Sequence, residues 1–299
     1  MIEHVAPPQS GGLIPTLPLQ FTEAHALARI RFKADPTKCY QRHIREVWGE
    51  IENRPQLSSL KGSRVEQVTR EEAESIILKY EWLQSMGRGI TAFYGLKLEG
   101  ELLGASCWGV MGGDVGNICG SALAERTVCL MRGACVPHAP KDAASFFTRH
   151  ACRQAYKDFG WEIIFAYSDT VDAGEMGTIY QACNWWYVGE DLGRPAGSFH
   201  VDYQSPDGSQ IVTSYKLNHQ GREKKFMRSL GWTPEEGQMR PWLVAHGWTP
   251  IKRFGKKKWV WFEGPRKEEL KGLCRYKPLP YPKRMVALNG LALNRATVH

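Results

Sequence analysis

The chain has 299 residues, 42% hydrophobic and 11% aromatic, with a net charge of +8. That is enough apolar matter to bury a sizeable core, and no apolar run approaches the roughly 20 residues that a membrane-spanning helix needs. Eight cysteines occur without a C-x-x-C pair, which argues against a zinc ribbon and, in a chain of this size, against a disulfide framework.

Residues 1–20 are rich in Pro and Gly and read as an extended arm. The opening MIEHVAPPQSGG lacks the basic-then-apolar layout of a secretory signal, so a cytoplasmic location is expected. Between residues 21 and 50, Tyr40, His43 and Trp48 are spaced to share one helical face. A lone His on such a face is more often packed or solvated than catalytic. Thr69-Arg-Glu-Glu72 has capping-box spacing, and Ala73, Ile76, Ile77 and Tyr80 follow with helical periodicity. The spacing predicts a helix running into YEWLQSMGRG, with Gly87 and Gly89 as its stop. Ala92–Leu98 and Leu102–Val110 read as strands, and Glu99-Gly100-Glu101 between them signals a hairpin.

The stretch from Arg126 to Asn184 organises the chain. RTVCLMRGACV, from Arg126 to Val136, reads as a central strand. His138–Asp142 forms the turn, and Ala143, Phe147, Ala151 and Ala155 stripe a helix that Gly160 ends. WEIIFAY, residues 161–167, is the next strand and parallel to the first. A loop with two aspartates follows, then a short helix over 175–183 and a strand over 185–188. A strand, turn and helix start make an anion site, because free backbone N–H groups and the positive dipole end converge there. Small Ala143 and Ala144 permit close approach, Lys141 adds charge and Ser145 a hydroxyl, although any α/β crossover offers a similar helix start. Asp169 ends its strand, where a carboxylate either serves as a base or orienting group in a cleft or simply caps the loop. Tyr180 sits among apolar neighbours, as a proton donor or as plain core.

Beyond residue 193 the texture changes. Phe199–Tyr203 and Gln210–Leu217 alternate like strands around Ser205-Pro-Asp-Gly208. Gly-Trp-Thr-Pro occurs at 231–234 and again at 247–250, with a capping box at Thr233–Glu236, which suggests a small helical insertion. From residue 201 onward there are 19 Lys and Arg against 8 Asp and Glu, whereas residues 1–200 have 20 against 23. The whole basic excess therefore lies in the last third. It points to a polyanionic partner, or else to an ordinary solvated face.

The order of capped helix, hairpin, strand, anion turn, helix, strand, Tyr-bearing helix and strand resembles the GNAT acyltransferase fold. APKDAAS, YSDTVDAGEMGTIYQACNWWYVG, the WVWF strand and the closing PYPKR resemble the phage Mom family, GTIYQACNW at 177–185 being the most specific part. The resemblance implies an α+β (α/β) fold class, a mixed central sheet flanked by helices with a basic C-terminal extension. Its divisions are an arm and helix at 1–64, a catalytic core at 65–203, and a basic region at 204–299 that completes the sheet. It implies a DNA modification enzyme acting on adenine N6 and giving anti-restriction protection, in a host bacterial cytoplasm. The donor would be acetyl-CoA or a related acyl-CoA, and DNA the partner. Asp169, Tyr180 and Ser145 would be catalytic. Gly133, Ala134, Cys135 and Val136 would hold the donor's arm, and Pro140, Lys141, Asp142, Ala143, Ala144 and Ser145 its pyrophosphate. From the basic, aromatic C-terminal run, Lys252, Arg253, Lys256, Lys257, Lys258, Trp259, Lys283 and Arg284 would contact nucleic acid. Where the family's pattern leads one to look for His-Tyr after the first helix, this chain has Glu81-Trp82, and the Gln/Arg-x-x-Gly-x-Gly/Ala turn of ordinary acetyltransferases is missing. Two alternatives keep their place: an N-acetyltransferase for another amine (modified base, tRNA or protein), and a non-catalytic nucleic-acid-binding module.

Overall fold

The computed structural model describes residues 19–110, 115–170, 172–191, 199–208, 210–213, 217 and 227–283. Two helices come first, α1 (Leu19–Ala34) and α2 (Tyr40–Glu52). On α2 the expected face is buried: Tyr40, His43, Ile44, Val47 and Trp48 all point inward, at the i, i+4, i+7 rhythm of a helix packed on one side. Strand β1 (Arg64–Gln67) leads to α3 (Arg70–Tyr80). The Thr69 hydroxyl accepts the Glu72 N–H at 3.2 Å while the Glu72 carboxylate accepts the Thr69 N–H at 2.8 Å, a reciprocal cap worth about 1 kcal/mol. The helix ends at Tyr80, earlier than the glycines suggest. Glu81 turns extended, and its carboxylate accepts the Leu83 N–H at 2.8 Å, a local bond that replaces the next helical turn.

Strands β2 (Ile90–Leu98) and β3 (Glu101–Gly109) form the expected hairpin. Its two-residue loop holds Glu99 and Gly100 at φ 50° and 86°, the left-handed pair that matches the strand twist. Next come the short helix α4 (Val115–Cys119), β4 (Thr127–Cys135), α5 (Ala143–Phe159), β5 (Ile163–Ser168), α6 (Thr178–Ala182) and β6 (Trp186–Asp191). A second, smaller sheet is built from β7 (Phe199–Gln204), β8 (Ile211–Val212) and β9 (Thr249–Phe254), and β10 (Lys256–Phe262) returns to the first. The chain therefore has a mixed seven-stranded sheet in the order β1-β2-β3-β4-β5-β10-β6, antiparallel except for β4 and β5. This is the mixed central sheet flanked by helices that the sequence led us to expect.

The small sheet has its own core of Tyr203, Val212, Trp232, Trp242 and Trp248. Only two residues of the expected 210–217 strand pair as β8. The two Gly-Trp-Thr-Pro copies do different jobs. Thr233 of the first caps a 3-10 turn at Pro234–Glu236, whereas Thr249 of the second opens β9. Identical tetrapeptides are thus used by context, and no structural repeat results.

In the main sheet Trp108, Trp185 and Trp259 are fully buried. Trp259 donates its indole N–H to the Ser168 hydroxyl at 2.9 Å and lies under Tyr180, ring centroids 5.6 Å apart. Gly177, at φ 69°, opens α6 directly against that indole, and any Cβ placed there would fall inside the ring. Gly177→Ala combines a left-handed backbone with overpacking and should lower the unfolding free energy by about 3 kcal/mol, read as a lower urea midpoint at unchanged m-value.

Candidate active site

Strands β4 and β5 pair only from Thr127↔Ile163 to Leu130↔Ala166. Beyond that each is held by its outer neighbour. β4 follows β3 up to Gly104↔Cys135, and β5 follows β10 up to Ser168↔Lys257. The inner edge of β4 past Leu130 is left facing a cavity of about 1350 Å³ instead of a strand. Backbone N–H and C=O groups on such an edge must find partners elsewhere, and an extended ligand can supply them.

The turn after β4 is tied down from both sides. Val136 N–H donates to the Leu103 carbonyl at 2.9 Å and Leu57 N–H to the His138 carbonyl at 2.9 Å. The Gln56 amide donates to the same His138 carbonyl at 3.0 Å, and the Arg45 guanidinium reaches the Val136 and Pro137 carbonyls at 3.4 and 3.3 Å. The buried His138 ring lies 3.0 Å from Glu101, which also pairs with Arg54. Sequence reasoning weighed this turn only by its own residues, small Ala143 and Ala144 with Lys141 and Ser145. Here the segment 45–57 stiffens it from outside, a long-range arrangement with no local signature.

Of the residues assigned to the donor, Gly133, Ala134, Cys135, Lys141 and Ala144 line the cavity, and Pro140, Asp142 and Val136 do not. Val136 and Pro140 are packed beneath the turn, and Ala143 is fully buried under the helix. The Ser145 hydroxyl donates back to the Asp142 carbonyl at 3.0 Å, and the residue is not on the cavity wall.

Asp169 and Tyr180 line one and the same cavity. Asp169 is 8% exposed. One carboxylate oxygen accepts the Asp172 N–H at 2.8 Å, the other lies 3.6 Å from the Lys256 ammonium, and its carbonyl accepts the Glu175 N–H at 2.8 Å. That set of bonds folds the loop and aims α6. The Tyr180 ring rests between Trp185, centroids 5.0 Å apart, and Trp259. Burial holds its pKa well above the ordinary tyrosine value. The phenol stays protonated at any working pH, and its surface opens to the cavity.

Three charged residues not assigned from sequence share this wall: Glu81, Glu175 and Arg132. Glu81 is 5% exposed, and burial pushes its carboxyl up to about 7 against the opposing pull of Arg132 and Lys256. Glu175 is open to the cavity yet lies deep beneath the outer surface. Burial, with the negative charges of Glu81 and Asp169, pushes it up to about 8. A signal for Arg132 was present, a lone charge inside the apolar run RTVCLMRGACV. Among the described residues no group of three His, Cys, Asp or Glu is close enough to hold a metal ion.

The proposed nucleic-acid contacts divide sharply. Lys256 and Lys283 reach the cavity rim, and Lys252 is exposed on β9. Lys257 is 13% exposed in its side chain and lies 3.8 Å from Glu190. Lys258 is buried over the Tyr167 and Tyr276 rings, and Trp259 is wholly inside the core, so neither can meet a base or a phosphate. The alternation of β10 sends these two side chains to opposite buried faces. The Arg253 side chain and Arg284 lie outside the described residues. No helix among the described residues is long and apolar enough to cross a membrane.

Because the Tyr180 hydroxyl has no hydrogen-bond partner among the described residues, Tyr180→Phe should change the unfolding free energy by less than about 0.5 kcal/mol in denaturant titration.

No curated protein matches the chain. Among solved structures it is similar to an IAA acetyltransferase from Bacillus cereus ATCC 14579, at 12% identity over 67% of this chain and 99% of that one, TM-score 0.34. It is similar too to a GNAT family acetyltransferase from Elizabethkingia anophelis with acetyl-CoA bound, at 8% identity over 68% and 99%, TM-score 0.34. A profile of the Mom protein family matches residues 63–283, most of the chain and the whole of the cavity's sheet walls, and the protein belongs to that family.

Proposed function

We propose that this cavity is the active site of a DNA-modifying transferase that places an acyl-type group on the exocyclic N6 of adenine. Membership of the Mom family supports the reaction class. The observation that carries it is the meeting of Asp169, Tyr180 and the free edge of β4 in one cavity.

The donor would be acetyl-CoA or a related acyl-CoA, and the residues present fit such a molecule. The β4 edge from Gly133 to Cys135 offers backbone groups to an amide-bearing arm, and Lys141 and Arg45 line the same cavity as cations for the phosphates. When bound, such a donor supplies the activated acyl group. Backbone N–H groups of β4 polarise the acyl carbonyl. Tyr180, protonated and aimed into the cavity, donates a proton to the leaving group. Asp169, clamped by Asp172 and Lys256, positions the loop and the acceptor.

Adenine N6 is out of reach inside a stacked duplex, so the base must be turned out into the cavity. Trp82 and Tyr167 line that space. Trp82 is half-buried and takes the stacking part that Trp259 cannot. Lys256, Lys283 and Lys252 receive the backbone phosphates.

Nucleoside mass spectrometry of DNA from cells expressing the protein should show a new, heavier adenine, lost in Tyr180→Phe and Asp169→Asn. An unchanged adenine pool with a new mass on RNA or protein would move the reaction to another amine. Affinity for duplex DNA should fall at least about tenfold between roughly 50 and 200 mM salt, and filter binding that ignores salt would contradict the phosphate contacts.

A further inference from the structure

The cavity carries more buried acid than the reading above uses. Glu81 caps α3 with its carboxylate folded onto the Leu83 N–H, which fixes the side chain in place. Arg132 from β4, Lys256 from β10, Asp169 after β5, and Glu175 and Tyr180 around α6 line the same cavity, and Cys107 of β3 feels its charge. The arrangement is three carboxyls against two cations, in a site where burial penalises charge. Burial and mutual repulsion there favour a proton on Glu81 or Glu175.

The carboxylate of Asp169 is already engaged. One of its oxygens is committed to the Asp172 N–H and the other faces the Lys256 ammonium. Glu81 and Glu175 share the cavity wall with Arg132 and Tyr180, and neither has a lysine or arginine within ion-pair distance among the described residues.

We propose that Glu81 and Glu175 are the proton-handling pair of this site, Glu81 as the base that takes the acceptor amine's proton and Glu175 as its protonated neighbour. This rests on the transferase reading. As the amine nitrogen bonds to the acyl carbon and the bond from that carbon to the leaving group breaks, one N–H proton passes to Glu81. The Tyr180 O–H protonates the leaving group. The proton held by Glu81 then restores the phenol, so protons and bonds balance over the cycle. The N–H protons of an exocyclic aryl amine are not acidic before attack and become so as the nitrogen bonds to carbon. A base half-ionised near neutrality is matched to that step. With Asp169 occupied in holding the loop, it is a positioning residue.

The sign of the pH effect follows from the raised carboxyls. Each contributes stability that is complete below the ordinary value of 4.5 and is lost as pH rises through about 7 for Glu81 and about 8 for Glu175. Wild-type thermal midpoints should therefore fall between about pH 5 and 9, and Glu81→Gln and Glu175→Gln should each flatten that fall. In protein labelled at the glutamate side-chain carboxyl carbon, NMR titration should show two carboxyls changing near neutrality. In Glu81→Gln one vanishes and the other moves to lower pH. If every glutamate titrates below about pH 5.5, the pair does not exist. Turnover on DNA should rise through neutrality in the wild type and drop at least about a hundredfold in Glu81→Gln, with part restored by Glu81→Asp. Adenine modification that persists within threefold in a folded Glu81→Gln overturns the pair and leaves the transferase intact. Absent modification in the wild type overturns the transferase, while the titration still decides the pair.

Discussion

β4 cannot be satisfied by β3 along its whole length and also close on β5, because the two neighbours pull it in diverging directions. β3 stays paired with β4 to the last residue, Cys135, across a register shift that leaves Met131 unmatched, and β10 pairs with β5 without a shift up to Ser168. The gap between them is a consequence of pairing elsewhere. A cavity opened in this way has walls of regular sheet, and its residues move little because their strands are fully bonded on the far side. Everything chemical in the molecule is arranged around that gap: the turn after Cys135, the loop after Ser168 and the helix that carries Tyr180.

Electrostatics in the gap runs against stability. Glu81, Asp169 and Glu175 are placed where burial penalises charge, with Arg132 and the exposed Lys256 as their counter-charges. Buried charges of this kind commonly cost more in desolvation than they return in attraction. Their clustering in the one large cavity, on segments that the sheet would tolerate as apolar, is the pattern expected where titration is used and not merely endured. The surface pairs are different in kind. Arg31 with Glu50 or Arg70 with Glu74 are exposed, and such pairs contribute little.

The sheet and its helices were legible because their signals are local. The Thr69 cap, the Glu99-Gly100 loop and the striped helix before Gly160 each sit within a few residues of what they specify. The parallel unit around the anion turn was legible for the same reason. What escaped depends on partners far along the chain. Nothing near Trp259 says that Ser168 and Tyr180 will cover it. A run such as KKKWVWF looks like a ligand surface until it is known to be an inner strand. Glu81 stood out in the sequence only as a departure from an expected pair. Its significance appears once β4, β10 and α6 are brought against it.

Since β10 lies between β5 and β6 in space but follows them by the whole of the second sheet in sequence, synthesis creates a waiting period. While residues 192–262 are being made, roughly 3 to 14 s at ordinary translation rates, β5 has an open edge and Tyr180 has no floor. The second sheet shortens the problem. β7 and β9 pair from Phe199↔Phe254 to Gln204↔Thr249, so its two ends emerge side by side, and its tryptophan core can form before the rest. Closing that excursion removes most of the loop that β10 would otherwise have to span. The clasp delivers the last strand to the slot that the ribosome left open.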